Sequence, residues 1–231
     1  MRIDIWSDVV CPWCYIGKRR LEEAVAAFEG DVEIVWRSFE LDPSAPKNPE
    51  LPLDQALAKK YRMSLERARK MMDQMTQTAA KEGLDFDFSI ARPGNTFDAH
   101  RLIHLARERG VQDEMKERLL LAYMSQGRPI ADRDELASLA ADVGLDAEEV
   151  RTMFSTGAHE EAVRQDEAQA HQIGVTGVPF FLVGDKYGVA GAQPADALLR
   201  VLKRVQAEST PDASPAGPGC DDGSCEIPER S

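Results

Sequence analysis

The chain lacks any apolar run approaching the roughly 20 residues that a membrane-spanning helix needs. It also begins without a basic segment leading into a short apolar stretch and a small-residue cleavage site, so a cytoplasmic protein with no membrane partner is expected. Lys/Arg-rich runs are missing too. With 28 basic against 40 acidic residues the formal charge is -12, which opposes the counterion release that holds proteins on nucleic acid, and no nucleic-acid partner is expected. Cysteine is scarce, at four in 231 residues, too few for the disulfide scaffold of a small secreted protein. Aromatic residues make up only 6%, yet 43% of the chain is hydrophobic, enough to bury the core of one large domain or two small ones. No internal repeat is evident.

What is present is concentrated. All four cysteines fall in two close pairs, Cys11/Cys14 and Cys220/Cys225. In a reducing compartment such pairs serve catalysis or metal binding. Cys11-Pro12-Trp13-Cys14 follows directly on the alternating stretch Ile3-Asp4-Ile5-Trp6-Ser7-Asp8. Two thiols spaced by two residues, where a strand hands over to a helix, form and break a disulfide during turnover. Unpaired amides and the positive end of the helix dipole are expected to stabilise a thiolate on Cys11 and lower its pKa. Cys11 is therefore the candidate nucleophile. Cys14, about one turn further in and less exposed, is the candidate resolving thiol. A zinc site needs three or four protein ligands, and the other thiols lie far along the chain, so no metal is expected at this pair.

Residues 2–8 and 32–39 read as strands, joined by a helix from Pro12 to about Glu29 that Gly30 stops. Strand, helix and strand this close imply a parallel βαβ unit, with the CxxC at the C-terminal edge of the sheet. After Pro43, with further prolines at 46, 49 and 52, helical patterns follow one another without strands. Ser64 is placed to cap a helix over 65–82, and Asn95 or Thr96 one ending at Gly110. Segments 111–126, 134–143, 147–155 and 159–173 carry apolar residues at helical spacing, with glycines between them. Met71, Met72 and Met75 read as core. A hairpin follows at 180–183 and 187–190, then a helix over about 194–206. The expected domains are thus 1–42 with 174–207, an all-helical insertion over 43–173, and a flexible tail over 208–231 that carries Cys220 and Cys225.

With Cys11-Pro12-Trp13-Cys14 behind one strand and Val178-Pro179 before another, the chain resembles the thioredoxin superfamily. The helical insertion resembles its DsbA-like branch. The pieces Ser7-Asp8-Val9-Val10 before the CxxC, Phe39-Glu40-Leu41-Asp42-Pro43, Asn95-Thr96 with Ala99-His100-Arg101, and Gly177-Val178-Pro179-Phe180-Phe181 resemble the FrnE-type proteins. These lie near the 2-hydroxychromene-2-carboxylate isomerases and the kappa-class glutathione transferases. The resemblance implies an α/β thioredoxin-like fold, βαβ plus ββα with a large helical insertion. It implies a cis peptide before Pro179, facing the CxxC, with Val178 offering its N–H and C=O to an extended substrate segment. The glutathione-using relatives carry serine where this chain has Cys11, so disulfide exchange is implied here in place of small-molecule isomerisation.

Three further readings complete the expectation. Trp13 either covers apolar surface or meets substrate. It places no positive charge beside Cys11 as a histidine in that slot does, so a moderately lowered pKa is expected. The four histidines fall on predicted helices; His100, inside the subfamily stretch, is read as a residue lining the substrate face. Cys220 and Cys225 are either a remnant disulfide or adventitious metal site, or a second redox pair. Asp221, Asp222 and Glu226 around them raise their pKa values, which sends electrons from the tail to an oxidised Cys11-Cys14. The function read from the sequence is a thiol:disulfide oxidoreductase, with isomerase activity, acting on protein thiols and disulfides. It needs no cofactor beyond the redox-active disulfide, is recycled by a thiol reductant such as glutathione or by an oxidant, and works as a monomer or homodimer. The alternatives are a glutathione-dependent isomerase or transferase of a small aromatic substrate, and a metal-binding or sensor protein that uses all four thiols.

Overall fold

A computed structural model of the chain describes residues 1–47 and 51–209. β1 (Arg2–Ser7) is a central strand, flanked by the parallel β2 (Glu33–Ser38) and the antiparallel β3 (Phe180–Val183), with β4 (Tyr187–Ala190) outermost in the order β2-β1-β3-β4. Ile3 pairs with Ile34 and Val183, and Trp6 with Arg37 and Phe180. The alternation in β1 is one of partners, not of exposure, because both sheet faces are covered. Ile3 and Ile5 belong to the large core cluster, while Trp6 packs with Ala170, Val175 and Phe180 on the other side. Its indole Nε1 donates to Asp166 O at 2.8 Å. Each fully buried isoleucine or leucine here contributes roughly 1.5–3 kcal/mol.

α1 (Pro12–Ala26) closes the parallel crossover between β1 and β2 and packs against α9 (Ala195–Ser209), which also covers β3 and β4. Between β2 and β3 run only helices among the described residues: α2 (Leu53–Lys60), α3 (Leu65–Ala80), α4 (Phe97–Glu108), α5 (Gln112–Gln126), α6 (Arg133–Asp142), α7 (Ala147–Thr156) and α8 (Glu160–Gln172). α5 packs on β2 from the α1 side, and α8 packs on β2 from the other. The expected βαβ and ββα halves are therefore present, with the helical segment inserted between them.

Local chemistry accounts for most boundaries. Ser64 Oγ accepts from Arg67 N at 3.2 Å, Asp132 accepts from Asp134 N and Glu135 N, and Asp146 accepts from Glu148 N. Thr96 occupies the N-cap of α4 without a side-chain bond; Asn95 Oδ1 takes Phe97 N instead, at 3.0 Å. Gly127, at φ 61°, ends α5 in a left-handed cap where an added Cβ would meet Ile90 O at 2.5 Å. Three expectations shift. α1 stops at Ala26, three residues early, where Phe28 N turns back onto Val25 O at 3.1 Å. α3 likewise ends at Ala80 instead of Glu82. α2 lies inside the expected helical insertion but was given no bounds of its own: Pro52 sits at its N-cap and pre-sets the first turn, with Asp54 at the start and Lys59 and Lys60 at the end complementing the dipole. Met71, Met72 and Met75 are half-buried, Met75 against the main core. No described helix is long and apolar enough to cross a membrane.

Candidate active site

Cys11 is the N-cap of α1, at φ -91° and ψ 113°, and Pro12 takes the first helical turn, where a missing N–H costs nothing. The helix then carries Cys14 inward, its N–H bonded to Cys11 O at 3.0 Å. Both are free thiols, Cys11 5% exposed and Cys14 1%. Trp13 between them stands out at 42%. The Val178–Pro179 peptide is cis, and Cys11 Sγ donates to Val178 O at 3.6 Å. Gly17, one turn below the CxxC, permits this approach: a Cβ there would sit 3.0 Å from Pro179 Cγ and 3.3 Å from Phe181 Cζ. The structure thus brings Cys11, Cys14, Val178 and Pro179 together, with Trp13 at the rim.

Beneath this pair lies a buried polar layer. Asp8 Oδ1 accepts from Val9 N at 2.7 Å and from His100 Nε2 at 3.2 Å, while its Oδ2 accepts from Leu41 N at 2.8 Å. One carboxylate therefore ties the β1–α1 turn, the exit of β2 and α4 together. Burial pushes its pKa up, but the His100 bond, the His100 charge and the Leu41 amide outweigh it and hold the carboxyl below its usual range. His100 is 1% exposed, so it sits under the site and meets Asp8, and does not line an open substrate face. One turn on, His104 Nε2 lies 3.1 Å from Ser38 Oγ and 3.2 Å from Asp166 Oδ2. Glu40, also buried, accepts from Arg164 Nη1 at 2.7 Å and Asn95 Nδ2 at 3.5 Å, and burial raises its pKa.

From α5 the fold inserts Lys116, which is 0% exposed. Its Nζ donates to Ser7 O at 3.4 Å and lies 5.4 Å from the centre of the Trp36 ring. Burial pulls its pKa down to about 8, against the opposing charges of Cys14, Asp8 and Cys11. Ser7 Oγ is buried with no partner other than the neighbouring Cys14 thiol.

These surroundings move the charge of the dithiol away from where the sequence placed it. Cys11 is pushed well above the usual thiol range by its hydrogen bond to Cys14, then by burial, by the charge of Cys14 and by that of Asp8. The Cys14 amide at the helix start pulls the other way and is outweighed. Burial also pushes Cys14 up, but the bond from Cys11, the Lys116 charge and the Ser7 hydroxyl bring it down overall. The expected lowering at Cys11 is thus corrected. The first proton lost belongs to the pair, and leaves one anion held between the two sulfurs by the remaining thiol hydrogen.

Sequence reasoning missed Lys116. The signal was available, because Lys116, Leu120 and Tyr123 recur at i, i+4 and i+7, and all three are buried. A lysine on the apolar face of a helix is a charge that the fold must place. Cys220 and Cys225 lie outside the described residues. The helix before them ends far from the CxxC: Gln206 Nε2 donates to Glu29 O, just past the far end of α1, and Glu208 bonds Lys186 and Tyr187 in the hairpin. α1 alone spans about 22 Å at 1.5 Å per residue.

The model of the DSBA-like thioredoxin domain matches residues 2–203. A probable DsbA oxidoreductase of Streptomyces coelicolor is 42% identical and superposes with a TM-score of 0.87, over 99% of this chain and 100% of that one. An uncharacterized Bacillus subtilis protein, YwbO, is 30% identical over 208 residues, 89% of this chain and 98% of its own length. A 2-hydroxychromene-2-carboxylate isomerase shares the fold at 16% identity and TM-score 0.70, over 90% of this chain and 97% of that one. So does the cytosolic disulfide reductase DsbM of Pseudomonas aeruginosa, at 18% and 0.64, over 90% of this chain and 100% of that one.

Proposed function

The chain belongs to the DSBA-like thioredoxin domain family, and we propose on that footing that it is a thiol:disulfide oxidoreductase of protein substrates, with Cys11 and Cys14 as its redox pair. The observation that carries this reading is the placement of two free thiols at one helix N-terminus, the outer one against Val178 O and the inner one enclosed. Only Cys11 has a face toward an incoming disulfide. When the shared proton passes to Cys14, the Cys11 thiolate attacks a substrate sulfur, the substrate S–S bond breaks, and its other sulfur leaves as a thiolate. Cys14 then attacks Cys11, the CxxC becomes the disulfide, and the substrate departs reduced. Run backwards, the same steps oxidise a dithiol. Release before Cys14 acts gives isomerisation.

Val178, whose C=O lies 3.6 Å from Cys11 Sγ, holds an extended substrate segment through its backbone, and Pro179 and the exposed Trp13 complete its apolar walls. His100 acts on this surface through Asp8. A cytoplasmic site recycled by glutathione fits the reductant with which the Pseudomonas reductase was solved. Cys220 and Cys225 would exchange with the CxxC as a second pair. From Glu208 to Cys220 the chain spans at most about 40 Å when fully extended, enough to pass the length of α1 only if drawn out. The test is insulin reduction and reactivation of scrambled ribonuclease: Cys11→Ser abolishes both. Turnover of a small aromatic substrate with glutathione that persists in Cys14→Ser would instead establish the isomerase or transferase chemistry.

A further inference from the structure

We propose that Lys116 and Ser7 together form the anion seat of Cys14, and that Lys116 is the positioning residue that makes Cys14 a resolving nucleophile. The inference rests on the oxidoreductase reading above. Lys116 is a wholly buried ammonium with three N–H donors, and among the described residues its one hydrogen bond is the 3.4 Å contact to Ser7 O. Such a group stays charged inside a protein when an anion faces it.

The charged and titratable groups that face it are Cys14 and Lys18 from α1, Cys11 at the head of α1, and Asp8 from the β1–α1 turn. On β2 it meets the neutral Trp36 ring. Lys18 is engaged by Glu22, Asp113 and Glu117, and Asp8 already accepts from Val9 N, His100 and Leu41 N. While both thiols are protonated Cys11 Sγ donates to Val178 O, and it turns that one hydrogen to Cys14 once Cys14 ionises. That leaves Cys14 as the anion for Lys116 to face, with the buried Ser7 hydroxyl, which has no other partner, beside it. The pKa of Lys116, near 8, keeps the ammonium charged at neutral pH while the thiolate forms.

In the mixed disulfide Cys11 is no longer a thiol, and the hydrogen bond it gave to Cys14 is gone. Lys116, the Ser7 hydroxyl and the Asp8 backbone amide are then the groups left to hold a Cys14 thiolate, and Lys116 is the one that brings a charge. That thiolate attacks Cys11 Sγ, the Cys11–Cys14 bond forms, and the bond from Cys11 to the substrate sulfur breaks with its electron pair on the substrate. The proton that Cys14 gave up is balanced by the one the departing thiolate takes from water.

Ellman's disulfide separates the two steps, because attack by Cys11 releases one aromatic thiolate and resolution by Cys14 releases the second. In Lys116→Met the second release slows at least about tenfold at pH 7 and its pH profile moves up by about one unit, a tenfold loss of thiolate per unit. The first release, measured with Cys14→Ser in both backgrounds, changes less than about threefold. An unchanged second phase and pH profile in folded Lys116→Met overturns the inference. Should that variant fail to fold, Ser7→Ala decides: an upward shift of the profile supports the seat, and no shift refutes it. If the wild type shows no first release, or Cys11→Ser retains it, the oxidoreductase reading falls instead.

Discussion

Replacing Lys116 by methionine should make the reduced protein more stable at neutral pH. The two side chains have similar length, so packing on Trp36 is kept while a buried charge is removed. Burial lowers the Lys116 pKa from 10.5 to about 8. At roughly 1.4 kcal/mol per unit this corresponds to about 3 kcal/mol of folding stability lost at pH 7, within the range seen when buried charges are replaced by apolar groups. Between pH 8 and 10.5 the unfolded chain binds more protons at this lysine than the folded one does, so wild-type stability gains with rising pH in that window. The advantage of Lys116→Met therefore shrinks to about 1 kcal/mol at pH 10. Urea unfolding under reducing conditions at pH 7 and pH 10 measures both differences. A variant no more stable than wild type at pH 7, or an advantage that does not shrink at pH 10, would refute the reasoning and mean that the attraction of Cys14 and Asp8 outweighs desolvation.

Other substitutions test the neighbouring elements. In Asp8→Asn the charge that raises Cys11 is gone, so iodoacetamide should alkylate Cys11 about threefold faster near pH 7; an unchanged rate would remove Asp8 from the electrostatics of the pair. Because the Asp8 pKa is lowered from 3.8 by folding, its stabilisation is present above that value and is lost as pH falls through the still lower folded value; acid titration of wild type against Asp8→Asn should show the difference below about pH 4. Gly17→Val pushes on Pro179 and Phe181 and should lower insulin-reduction activity together with about 2 kcal/mol of stability. Arg37→Met removes the guanidinium that bridges Asp4 and Asp166 at 2.7 and 2.9 Å, but Arg2 still holds Asp4 and His104 and Ser38 N still hold Asp166, so it should cost about 2 kcal/mol in urea unfolding.

Much of the architecture was legible because it is encoded locally. Ser64, Asp132 and Asp146 stand at N-caps, glycines such as Gly127 and Gly157 at left-handed ends, and the β-branched and aromatic run at Phe180 forms its strand. α2 was not separately legible because its eight residues are short and follow a proline-rich stretch, in which Pro52 serves as the helix start. The two thiols and the Val178-Pro179 pair were legible as a site, since spacing and position relative to the strands place them at one sheet edge. The distribution of charge between the thiols was not. The helix dipole that favours Cys11 is a local property, whereas Lys116 arrives from α5 and His100 from α4, each set by packing of helices distant in sequence. His100 shows the same limit: its position at the site was readable, its burial against Asp8 was not.

The central claim, that Cys11 engages substrate and Cys14 releases it, is tested most directly by mass spectrometry of trapped disulfides. Reduced wild type, Cys11→Ser and Cys14→Ser are each mixed with a disulfide-bonded protein substrate and quenched with acid. The account predicts a persistent covalent adduct of Cys14→Ser through Cys11, none with Cys11→Ser, and in the wild type a Cys11–Cys14 disulfide with reduced substrate. An adduct formed through Cys14 in Cys11→Ser at the rate of Cys14→Ser, or no adduct in either variant, would contradict it.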